Sequence, residues 1–137
     1  MLDPLMELLG RQVDAAGVLE ARLRVLELLV AAGEQHLMMQ ALDEVETASE
    51  TLSGLELTRT LALMSAGYPA DTSAAELIAS PNAMDGTDDD ALRTRIADLR
   101  RAMLNLAEAL SRTDHVVRAT AGATQQRQGA SQAPVAV

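Results

Sequence analysis

The sequence predicts an all-α protein: an elongated antiparallel helical hairpin or bundle of long helices, with a short connecting helix and a disordered C-terminal tail. Three observations predict it. Apolar residues make up 48% of the 137, yet only one residue, Tyr68, is aromatic. Burial therefore falls to Leu, Ala, Val and Met, which suit helices, whereas sheets draw on aromatic and β-branched side chains. Apolar residues recur in alternating steps of four and three, the period of packed helices. The stripes are interrupted at Gly33 and at Gly67-Tyr68-Pro69, where a helix would end.

The first helix is expected over about 3–32. Asp3 can cap it, and Pro4 suits the first helical position. Its stripe is Leu5, Leu9, Gln12, Ala16, Leu19, Leu23, Leu26 and Val30, with Gln12 as the one polar member. Gly10 and Gly17 weaken its N-terminal half, each by up to about 1 kcal/mol relative to Ala. The second helix is expected over about 34–66. Its stripe (Met38, Leu42, Val45, Ala48, Leu52, Leu55, Ala62) is less regular and is interrupted by Thr58 and Arg59. Asp43, Glu44, Glu46, Glu50 and Glu56 give it a solvated acidic face. The very short turn at Gly33 forces the two helices antiparallel.

Ser73 and Glu76 form a capping box, which predicts a short helix over about 73–80. A polar loop over 82–87 follows. The last long helix is expected over about 88–118, capped by Thr87 or Asp88, with Asp88-Asp89-Asp90 against its positive dipole end. Its stripe is Leu92, Ile96, Leu99, Met103, Leu106, Leu110, Thr113 and Val117. Glu108 with Arg112, and Asp114 with Arg118, are spaced as i,i+4 pairs. Residues 119–137 turn to Ala, Gly, Gln, Thr and Ser without periodicity and read as a disordered tail. The organisation is thus one helical domain, 1–118, and a tail, 119–137.

Composition narrows the function. The net charge is −9, and every basic residue is Arg. Nucleic acid and anionic membrane surfaces are poor partners for such a chain. With no cysteine there is no disulfide framework or thiolate site. The N-terminus is acidic where a signal peptide is basic, and no apolar run reaches the length of a membrane span. A cytoplasmic protein is expected.

No catalytic, cofactor or metal residues are expected. His36 and His115 are far apart and read as solvated surface residues; neither is followed by the Lys-Gly of a phosphotransfer histidine. There is no phosphate loop and no nucleophile elbow. The three aspartates at 88–90 read as a helix N-terminus rather than a Mg²⁺ site. Met38, Met39, Met64 and Met103 read first as core, although flexible Met side chains also suit surfaces that accept varied apolar partners. An enzyme is not expected.

The order of elements resembles the FlgN family of flagellar type III export chaperones. The matching residues are Leu29-Val30-Ala31-Ala32-Gly33-Glu34-Gln35, similar to the family's leucine-rich helix end and Gly-Glu turn. Met64-Ser65-Ala66-Gly67-Tyr68-Pro69-Ala70-Asp71, followed by Ser73 to Leu77, is similar to its connector. Arg93 to Leu110 looks like its last amphipathic helix. Many relatives carry an Asn-rich segment with a Gly late in that helix, whereas here Ser111-Arg112-Thr113-Asp114-His115-Val116-Val117 stands in its place. The resemblance covers roughly residues 1–118. It implies a cytoplasmic chaperone that binds the disordered, amphipathic C-terminal segments of the hook–filament junction proteins FlgK and FlgL. Such a chaperone prevents premature assembly and delivers cargo to the export machinery.

The stripe of the last helix offers the partner-binding candidates Leu99, Met103, Leu106, Leu110 and Val117. The same residues suit a third face of the core equally well, because buried and partner-facing stripes look alike in sequence. A reading from another class is a self-associating coiled-coil scaffold, or a regulator that sequesters a helical partner.

Overall fold

The computed structural model describes residues 3–69 and 86–131, with side chains for 4–69 and 90–123. Three long helices make up nearly all of it: α1 (Asp3–Ala32), α2 (Gln35–Ser65) and α3 (Gly86–Ser131). There is no strand among the described residues. The short helix expected over 73–80 lies outside them.

Each of the first two helices ends in the same six-residue motif. Gly33 and Gly67 adopt φ of 73° and 89°, a left-handed conformation open to glycine at little steric cost. The Gly33 N–H then donates to the Val30 carbonyl and the Glu34 N–H to that of Leu29, at 3.2 and 3.1 Å. At the second end Gly67 donates to Met64 at 3.0 Å and Tyr68 to Leu63 at 2.9 Å. Both are Schellman closures, which satisfy the last carbonyls of the helix. Tyr68 also folds back onto the apolar cluster that contains Leu63.

α1 is the central helix. All eight residues of its expected stripe are buried. At one end Leu5 and Leu9 meet Leu63 of α2 and Leu92 of α3. In the middle Ala15, Ala16, Leu19 and Leu23 meet Ala48, Leu52, Leu106 and Ala109. At the other end Leu26 and Val30 meet Ala41, with Met38 and Val116 packed alongside. This order of contacts makes α2 antiparallel to α1 and α3 parallel to it, an up-down-up arrangement.

The buried faces differ from the expected ones in two places. On α2, Ala41 is buried and Leu42, one residue on, is exposed; Leu63 is more buried than Ala62. The stripe Met38, Ala41, Val45, Ala48, Leu52, Leu55 is then a regular heptad. On α3 the phase shifts after Leu106, so that Ala109 and Val116 pack inward while Leu110 and Val117 face out. The cause is close approach: small side chains (Ala15, Ala16, Ala48, Ala109) sit where α2 and α3 each meet α1 in mid-bundle. A leucine at such a point would force the backbones apart.

α3 also runs past the expected end at residue 118, to Ser131. Ala, Gln and Arg in this stretch are good helix formers, and the first proline after α3 begins is Pro134. With 46 residues against 30 in α1, and Val116 already level with Val30, its C-terminal turns extend beyond the hairpin tip. At its other end α3 begins at Gly86, which places Asp88 and Asp89 in the first turn and Asp90 just after it.

Of the expected surface pairs, Asp114 and Arg118 form an ion pair at 3.1 Å, whereas Glu108 and Arg112 form none within 4 Å. Arg11 pairs with Glu7 at 2.7 Å, and Arg22 of α1 reaches Glu44 of α2 at 3.3 Å. These pairs are solvent-exposed, so each contributes little to stability. Met39 and Met64, expected in the core, are instead exposed, while Met38 and Met103 are half-buried.

Candidate functional site

No Cα of α2 lies within 8 Å of a Cα of α3; both helices pack on α1, and their side chains share clusters only around it. Helix period shows which side chains face the gap. On α3, Arg95 lies over Gly10 of α1, so close that a Cβ there would stand 3.1 Å from its Nη1. Arg95, Ala102, Ala109 and Val116, seven residues apart, thus form the flank toward α1. Ile96, Met103, Leu110 and Val117 form the other flank, toward α2.

On α2 the flank toward the outer side of α1 carries Gln40, Glu44, Thr47 and Thr51. With Ala15, Val18 and Arg22 these residues line a shallow open groove of about 440 Å³. The opposite flank, toward α3, carries Leu42, Ser49 and Glu56. Val116 and Ala41 share one cluster, which sets Val117 level with Leu42, and Ala109 and Ala48 share another, which sets Leu110 level with Ser49. The half of the bundle nearer the hairpin tip therefore has an open apolar seam between α2 and α3. Leu42 is 46% exposed there, Leu110 48% and Val117 40%.

The five candidate residues of the last helix divide at this seam. Leu106 is 4% exposed and belongs to the central core. Leu99 is half-buried against Leu5, Leu9 and Leu92, and Met103 is half-buried against the central cluster. These three hold α3 on α1. Leu110 and Val117 are exposed and present apolar surface outward. Leu42 joins them, in contrast to the inward position its stripe predicts. The signal that could have found it was the neighbouring alanine, which also fits a heptad with Met38 and Val45.

The chemistry of the seam is that of apolar association. The described residues contain no group of three or more His, Cys, Asp or Glu side chains able to hold a metal. His36 and His115 are both exposed. No described helix is long and apolar enough to cross a membrane. In comparisons with protein-family models, with curated proteins and with solved structures, nothing matches this chain.

Proposed function

We propose that this protein is a helical chaperone of the FlgN type, which seats an amphipathic segment of its cargo in the seam between α2 and α3. The observation that carries the reading is the exposure of Leu110 and Val117 on the flank of α3 that looks across an 8 Å or wider backbone gap at Leu42. The cargo is the disordered C-terminal segment of a hook–filament junction protein, FlgK or FlgL, held in the cytoplasm until export. The protein works by binding and catalyses no reaction.

Magnitudes set the character of the binding. A fully buried Leu or Val contributes roughly 1.5–3 kcal/mol, so covering the exposed half of each seam residue contributes about 1 kcal/mol. Three such residues give about 3 kcal/mol, against an ordering cost on the order of 2–5 kcal/mol for a disordered segment. The cargo's own apolar face must supply the remainder. Such a complex is reversible, as a delivery chaperone requires.

The test is calorimetric titration with the C-terminal segments of FlgK and FlgL, using the wild type and a Leu110→Asp/Val117→Asp double variant. Saturable one-to-one binding with a negative heat-capacity change, lost in a double variant that keeps its helicity, is the expected result. If the folded wild type binds neither segment, the chaperone reading fails. A stable oligomer in sedimentation would then favour a self-associating scaffold.

A further inference from the structure

A second surface, independent of the seam, lies on the outer face of α2. Leu57, Leu61 and Met64 follow one another at i, i+4 and i+7, and each is more than half exposed. They form one apolar patch along two turns. The same face continues toward the hairpin tip through Ser53 to Glu50 and Glu46, in steps of three and four. Both glutamates are exposed, and among the described residues neither has a cation within 4 Å. The only Lys or Arg on α2 is Arg59, against five carboxylates, so the helix does not neutralise this face itself. Three large apolar side chains and two carboxylates thus share one exposed helical stripe on the side of α2 away from α1.

We propose that this face docks an amphipathic helix with a basic segment, a partner distinct from whatever occupies the seam. Charge chooses the occupant. An acidic or neutral helix on Leu57, Leu61 and Met64 would leave Glu46 and Glu50 unpaired beside it or repelled by it. A helix with Lys or Arg two turns from its apolar anchors satisfies both halves of the stripe. The stripe from Glu46 to Met64 is about 27 Å long at 1.5 Å per residue, which sets the partner at about five turns. Complementary charge of this kind raises the association rate and fixes register, while the apolar patch holds the complex.

The experiment uses two synthetic amphipathic peptides of about five turns with identical leucine anchors. One carries Lys and the other Glu at the positions opposite Glu46 and Glu50. Fluorescence anisotropy should show the Lys peptide binding the full-length protein at least about tenfold more tightly than the Glu peptide, with an advantage that shrinks as salt rises. A Glu46→Lys/Glu50→Lys variant should reverse the preference. Leu57→Asp/Leu61→Asp should abolish the advantage of the Lys peptide over the Glu peptide, and Leu110→Asp/Val117→Asp should leave that advantage intact, which separates this surface from the seam. The proposal is overturned if the two peptides bind alike or if the charge reversal does not invert the preference. It is equally overturned if sedimentation shows a dimer that Leu57→Asp/Leu61→Asp converts to monomer, because a second copy then covers the face.

Discussion

Gln12 occupies a heptad position in α1 with 1% of its surface exposed, and its Oε1 has no hydrogen-bond partner. A buried acceptor left unpaired costs about 1–3 kcal/mol. Gln12→Met keeps the length of the side chain and removes the oxygen, so it should raise stability by a similar amount in urea denaturation. An unchanged or lower midpoint would mean that the oxygen is satisfied. Leu106 and Leu110 make the opposite comparison. They are four residues apart on one predicted stripe, yet one is core and the other half-exposed. Leu106→Ala should lose about 2–5 kcal/mol, as truncation in a packed core does. Leu110→Ala should stay within about 1 kcal/mol of the wild type, so equal losses would place both residues inside. At this scale the sequence was read correctly wherever large side chains fill the space between helices, as on all of α1. It misled where alanine takes the inner position, because at Ala41 and Ala109 the adjacent leucine is the more hydrophobic choice and the structure prefers the smaller one.

At the scale of the element, the glycines have different roles that spacing alone does not reveal. Gly33 and Gly67 stop their helices through positive φ, and both stops were legible in the sequence. Gly33→Ala should cost about 1–2 kcal/mol, the penalty of a left-handed turn for a residue with a Cβ. Gly17 and Gly54 lie within helices, and a Cβ on either would meet nothing within 4 Å. Gly17→Ala and Gly54→Ala should therefore each add about 0.5–1 kcal/mol to the thermal stability measured by calorimetry. If either substitution destabilises, that face of the helix is covered by something. α2 shows how polar residues are accommodated in a long helix. Thr51, Thr58 and Thr60 donate to the carbonyls of Thr47, Gly54 and Glu56, four residues back. These bonds satisfy the hydroxyls locally and leave the stripe intact around Thr58. The extent of α3 was the element least legible in sequence. Its last turns lack apolar periodicity, but a helix already nucleated continues through residues of good propensity, at little cost per residue.

At the scale of the molecule, one helix serves two. α1 buries a stripe wide enough for α2 and α3, while no Cα of one of these two comes within 8 Å of a Cα of the other. An antiparallel hairpin with a third helix on one side leaves an edge unfilled, and a fourth helix has the shape to fill it. That architecture follows from the sequence as far as the three long helices, their order and the direction of the hairpin. It does not give the gap, because the distance between α2 and α3 depends on which small residues face inward. The measurement that tests the central claim most directly is hydrogen exchange on the full-length protein, with and without the C-terminal segment of FlgK or FlgL. Protection should rise in the tip-proximal half of α2 and in α3 around Leu110 to Val117, where both helices border the seam. Protection confined to other parts of the molecule, or none at saturating peptide, would contradict it.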